Sequence, residues 1–259
     1  MGTNVGQLAT SAAELARSTG GQQRIPAIAD ATARHATLYR PPSEQEWTHI
    51  PRTGVVSGAQ YVVAMGVYLV DVDAEGWFGE GEEGRSQIAA GLNAELVRRG
   101  LPRYESVPGA AGFVRGSGQS FEEKLVPPMD GLVALCEAHL SEAETETLLG
   151  WTVLVPVSLD EEIELPVESS YSDSTVIAGA PQILAIAGKL AAAVALPPEV
   201  PEICDNLDLT NWFLDGAAEK LAATRPGPWG ADLDASFYVA LYLRAAQHSL
   251  RRGCPVTYC

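Results

Sequence analysis

Lysine is the scarcest of the common charged residues here: three against fourteen arginines in 259 residues. Basic side chains number 17 and acidic ones 33, so the formal charge is −16 and phosphate backbones or anionic membrane surfaces would be repelled. The sequence therefore predicts no nucleic-acid and no membrane partner. Cysteine is also sparse. Four in so long a chain do not make a disulfide scaffold, and no Cys-x-x-Cys pair exists for a zinc ribbon. Cys254 and Cys259 stand close enough in sequence to bridge under oxidation, but reduced thiols in the cytosol fit the composition better. No Gly-x-Ser-x-Gly, His-Glu-x-x-His or P-loop pattern occurs. Long apolar runs are lacking as well: Ile177 to Leu196 is mostly alanine and small aliphatics broken by Gln182 and Lys189, and reads as a buried helix. Met1 to Gln22 has neither the basic start nor the apolar stretch of a secretory signal. A cytoplasmic location is expected.

What is present is ordinary globular material, 46% apolar and 19% charged, long enough to bury a sizeable core. Abundant alanine with arginine over lysine suggests a GC-rich bacterial gene, which is an association and not a physical constraint. The first 58 residues read as a loosely organised helical segment, and residues 59–259 as a single domain. Tyr61 to Val72 is apolar on both alternating faces, as in a strand inside a covered sheet. Trp151 to Leu159 and Ile163 to Val167 are strand-like, placed as hairpin partners across Asp160-Glu161-Glu162. Ile88, Leu92, Leu96 and Val97 recur at helical spacing before Gly100. Ser120 with Glu123, and Ser141 with Glu144, fit capping boxes. Helices are predicted over 131–140, 181–196, 210–223 and 235–252. The fold class is α+β (or α/β): a small central sheet from about residues 61–72, 152–159 and 163–167, covered by helices and helix-rich towards the C-terminus.

The stretch Asp71-Val-Asp73-Ala-Glu75-Gly76, closing at Glu82, carries carboxylates at its first, third, fifth and twelfth positions and glycine at its sixth. That is the oxygen-ligand spacing of a calcium loop, so Asp71, Asp73, Glu75 and Glu82 are the candidate metal ligands, for Ca2+ or Mg2+. The competing reading is a solvated acidic turn whose Glu80, Glu82 and Glu83 complement the start of the next helix.

An apolar strand ending in Asp71-x-Asp73 also resembles the first motif of the haloacid dehalogenase superfamily. The resemblance implies a Mg-dependent, phosphatase-like hydrolase with Asp71 as nucleophile and Asp73 as general acid/base. Ser158 would stand for the second motif, Lys124 or Lys189 for the third, and Asp205 with Asp208 for the metal-binding acids. The chain departs from the pattern: Ala74-Glu75 replaces the small Gly-Thr pair, and Thr175 to Gln182 has the rhythm of the fourth motif without its acid. His139 and His248 lie on apolar helix faces, where histidine is usually a satisfied core residue. Cys136 reads as packing.

Charge distribution points to another class of function. Between Gly116 and Gly188 stand thirteen acids and one base, Lys124, whereas the last twenty residues hold three arginines and no acid. Such a field speeds encounter with a basic partner. The leading expectation is an acidic bacterial protein that works by protein–protein interaction with a basic partner, of inhibitor or immunity-like type, without certain cofactor or catalytic residues. The alternatives are the hydrolase centred on Asp71 and Asp73 and a structural calcium site in the 71–82 loop.

Overall fold

The computed structural model describes residues 66–79, 84–169 and 172–259. The N-terminal segment 1–58, with His35 and His49, and the acids Glu80, Glu82 and Glu83 lie outside them.

The fold is α+β. Strand β1 (Val67–Asp71) leads into a short helix α1 (Ala74–Phe78), and α2 (Arg85–Arg98) follows. After a long extended passage come β2 (Glu122–Leu125), α3 (Asp130–His139), α4 (Glu142–Gly150), β3 (Val153–Val155), β4 (Ile163–Leu165) and β5 (Thr175–Gly179). The C-terminal part holds α5 (Ala180–Ala193), α6 (Asp208–Leu214), α7 (Ala217–Thr224), α8 (Leu233–Arg252) and β6 (Val256–Tyr258).

Among the described residues six strands make one mixed sheet in the order β2-β1-β6-β3-β5-β4, in which β3 and β5 run parallel and the other neighbours antiparallel. Successive side chains of a strand point to opposite faces, and each face here has its own core. Leu154 and Ala178 join Leu132, Ile183, Phe237 and Leu241 beneath α3, α5 and α8. Val153, Val155 and Ile177 join Trp77, Ile88, Leu92 and Leu96 beneath α1 and α2. The sheet is thus covered on both sides, as its apolar strands require. The central support is α8. It starts at Asp232, whose carboxylate accepts the Ala235 N–H, and ends at Gly253, in left-handed conformation at φ 69°. That turn reverses the chain and threads the last residues into the middle of the sheet as β6. Among the described residues no helix is long and apolar enough to cross a membrane.

The structure corrects several local readings. β3 and β4 do not form a hairpin with each other, because β5 lies between them and pairs with both. The helix expected over 210–223 is two, broken at Asp215-Gly216, where Gly216 sits at φ 83°. The Ser141–Glu144 capping box forms as expected. The Ser120–Glu123 box does not, because this segment is drawn into β2 by pairing with β1. Glu123 still caps a helix, but a distant one: its fully buried carboxylate accepts the Leu209 and Thr210 N–H groups at the start of α6, and the Thr210 hydroxyl.

Candidate functional site

Three segments far apart in sequence meet where β1 ends. Asp71 closes that strand and pairs with Val256 of β6, while the Val72 N–H donates to Pro255 O. Side-chain Oδ1 of Asp71 accepts the Phe121 N–H at 3.0 Å, which ties the passage entering β2 to the same point. Its other oxygen, Oδ2, lies 3.1 Å from His248 Nε2 and 3.9 Å from Cys254 Sγ. His248, on the last turns of α8, and Cys254, just past the Gly253 reversal, are both buried, and Asp71 is half-buried. The three donor atoms lie within 4.8 Å of one another.

Second neighbours hold this arrangement in place. The Ser249 hydroxyl donates to Cys254 O at 2.7 Å, and the Tyr104 hydroxyl to Gly253 O at 2.9 Å, so the reversal after α8 is clasped from two sides. The Phe121 ring packs against the imidazole at 5.4 Å between centroids. Arg251 Nη2 stands 3.3 Å from His248 Nδ1. A guanidinium can only donate, so Nδ1 accepts and Nε2 carries the hydrogen given to Asp71. Burial, with Asp71 beside it, pushes the Cys254 thiol up to about 12. A thiol in that condition is not a standing nucleophile.

Asp71 and Cys254 also line a pocket of about 110 Å3 with Asp73, Ser120 and Arg252, roofed by the loop Pro108–Ala111. Asp73 is the N-cap of α1: its Oδ1 accepts the Gly76 N–H at 2.7 Å. Glu75 is exposed on the first turn of that helix, and Trp77 anchors the helix in the core. The first six positions of the expected calcium loop are therefore a strand end, a cap and a helical turn; the twelfth, Glu82, lies outside the described residues. Asp71 and Asp73 share the pocket, and Glu75 points elsewhere.

The residues suggested by the dehalogenase-like pattern do not gather round Asp71. Lys189 pairs with Glu144, Lys124 lies over the Tyr68 ring, and Ser158 is exposed in the loop after β3. Asp205 is buried and accepts the Gly118 N–H, and Asp208 accepts the Asp205 and Asn206 N–H groups. Sequence reading missed the part played by His248 and Cys254. Periodicity placed the histidine correctly on an apolar face, but no spacing rule links it to a residue 177 positions earlier. His139, read the same way, is exposed.

A second feature is the acidic surface. Of the thirteen carboxylates between Gly116 and Gly188, Glu123 is buried, Glu144 pairs with Lys189 and Glu162 is half-buried. The rest are exposed, and none forms an ion pair among the described residues. Asp160, Glu161, Glu164, Glu168 and Asp173 follow one another around β4, the last strand of the sheet. No protein-family description, curated protein or solved structure matches this chain, so these geometries alone bear on its function.

Proposed function

We propose that the protein acts by binding, in the bacterial cytosol, presenting its carboxylate-rich edge to a protein with a basic surface, as an inhibitor or immunity-like protein would. The observation that carries this reading is the run of exposed, unpaired carboxylates around β4 on a rigid two-sided core. The backbone beneath these charges is already ordered and need not be fixed on association, and a one-sign field raises encounter rates. The pocket beside Asp71 supports it indirectly: about 110 Å3 accommodates a few water molecules, against the several hundred Å3 of ordinary small-molecule sites. Affinity capture from cell lysate with mass spectrometry is the test, run with the native chain and with Asp160→Lys/Glu164→Lys/Glu168→Lys. A partner of basic surface is expected, retained at low salt, weakened at physiological salt and lost in the triple variant. A partner held equally well by both proteins and indifferent to salt would sink the reading.

A second reading draws on one observation, that Asp71 and Asp73 line the same pocket. It is the Mg-dependent hydrolase, and a screen of phosphate esters with the native protein and Asp71→Asn separates it: turnover lost in the variant favours chemistry, and none in either favours binding. The structural Ca2+ site in the 71–82 loop is compatible with both, and predicts a melting temperature raised by calcium and lowered by chelator.

A further inference from the structure

We propose that Asp71, His248 and Cys254 are the protein ligands of a site for a borderline divalent cation, Zn2+ foremost, with the fourth coordination position opening into the pocket beside them. The site is independent of the partner-binding reading and differs in ligand set from the oxygen-only loop.

Geometry comes first. Zinc binds carboxylate oxygen and imidazole nitrogen at about 2.0–2.1 Å and thiolate sulfur at about 2.3 Å. Tetrahedral angles then separate oxygen from nitrogen by roughly 3.3 Å and oxygen from sulfur by roughly 3.5 Å. The 3.1 and 3.9 Å separations of Asp71 Oδ2 from His248 Nε2 and Cys254 Sγ differ from these by only a few tenths of an ångström, while Nε2 and Sγ, within 4.8 Å of each other, must close towards roughly 3.5 Å as the ion enters. Donor chemistry comes second. One nitrogen, one sulfur and one oxygen suit zinc and its neighbours, whereas calcium and magnesium need shells of oxygen. The third element is the surroundings. Asp71 keeps its ligand oxygen oriented because the Phe121 N–H occupies the other one, and the Ser249 hydroxyl fixes the backbone of Cys254. Asp71 and Cys254 both face the pocket, where three protein ligands leave room for a water or an anion. Arg252 lines the same pocket, so a guanidinium stands beside the position an anionic fourth ligand would take.

Binding has a proton balance. Sγ gives up its proton to solvent as the sulfur–metal bond forms. The imidazole proton leaves Nε2 for Nδ1, so that the Nε2 lone pair faces the metal. Arg251, which donates towards Nδ1, must then withdraw. Among the described residues its exposed side chain is otherwise held by a 3.5 Å contact with Gly118 O. Arg251 is therefore a built-in opponent of the metal, and its removal should tighten binding.

The experiment is titration of the full chain with Co2+ under anaerobic, reducing conditions, followed by displacement with Zn2+. One equivalent is expected to give thiolate-to-cobalt charge-transfer absorption and the intense visible bands of a tetrahedral ion. Cys254→Ser should abolish the charge-transfer band. His248→Gln and Asp71→Asn should each weaken binding beyond the ~10–100-fold typical of losing a group behind a ligand. Arg251→Ala should tighten it, on the order of tenfold. No thiolate band in the native protein, or a band that survives in folded Cys254→Ser, overturns the site; unchanged or weaker binding by Arg251→Ala overturns Nε2 as a ligand. Should Cys254→Ser fail to fold, X-ray absorption of the native zinc form decides: one sulfur at about 2.3 Å with light-atom ligands supports the assignment, and a shell with no sulfur or with several refutes it.

Discussion

Gly253 is the residue on which the C-terminal strand turns, and its substitution isolates a backbone effect from a packing effect. It follows α8 at φ 69°, ψ 30°, with its N–H given to Ser249 O. A Cβ built there meets nothing within 4 Å, so there is no neighbour to displace. The whole cost of a side chain is then the left-handed conformation, about 1–2 kcal/mol for alanine, less for asparagine, more for a β-branched residue. The expected stability order is Gly, Asn, Ala, Val. For a domain of this size each kcal/mol lowers the melting temperature by roughly 2–4 °C, so Gly253→Ala should melt about 2–8 °C below the native chain. Urea unfolding should show the same order in midpoint with an unchanged slope. Equal stability of the native chain and the three variants would mean that α8 does not end in this turn. An alanine cost above about 4 kcal/mol would mean a steric neighbour that the structure does not contain. In either event the path that brings Cys254 under Asp71 would need redrawing.

Gly179 provides the opposite case: its φ is an ordinary −83°, but a Cβ would lie 2.6 Å from Val157 O and 3.0 Å from Leu159 N, both backbone. Gly179→Ala should therefore cost more than Gly253→Ala, about 3 kcal/mol or beyond, read by the same urea midpoints. Thr210→Val removes the 2.6 Å hydroxyl donor to buried Glu123 and should destabilise by about 2–3 kcal/mol. Burial raises the Glu123 carboxyl and the Thr210 bond lowers it, so the folded state holds that proton more tightly still in the variant. The penalty should accordingly be largest where Glu123 is ionised and shrink as acid protonates it, above the ordinary carboxylate range because burial raises it, which chemical unfolding over a series of pH values would trace. Glu144 behaves with the other sign: hydrogen bonds from Lys189 and from Ser141 hold it down to about 2. Its small surface contribution is present above the usual 4.5 and fades as pH falls from there towards 2. Ser141→Ala should lose roughly 1 kcal/mol of helix capping at neutral pH and less at pH 2.5, followed by thermal unfolding monitored by circular dichroism.

Legibility in the sequence followed the range of the interaction. The α2, α3, α5 and α8 helices carry periodic apolar faces, and the Ser141–Glu144 box needs nothing beyond its own four residues; these were readable because local order and burial agree. β6 is three residues after a glycine turn, too short for any periodicity, and becomes a strand only because β1 and β3 leave a gap between them. β5, Thr175–Gly179, continues directly into α5, so one apolar run holds a strand and a helix with no turn residue to divide them. Glu123 shows the same limit from the polar side. The residue type was right for a helix start, but the helix it serves begins 85 positions later, at Asp208.

The acidic loop shows why a spacing motif and a folded site can share a residue and differ in meaning. A calcium loop converges its oxygens through backbone curvature within a dozen residues. Here the curvature after Asp71 is spent on a helix: Asp73 caps α1, Trp77 buries it, and Glu75 is carried out to solvent. Asp71 belongs to the strand and not to the turn, so its partners arrive across the sheet from α8 and from the segment after Gly253. Each of those partners is unremarkable in its own context, a histidine on an apolar helix face and a cysteine near the end of the chain. Only the antiparallel pairing of β1 with β6, which sets Asp71 opposite Val256, makes them neighbours. A site assembled by sheet register in this way has a signature in three dimensions and none in one. It also follows that perturbing the register, by substitution at Val256, should weaken cobalt binding in the same titration, whereas substitution at Glu75 should leave it untouched.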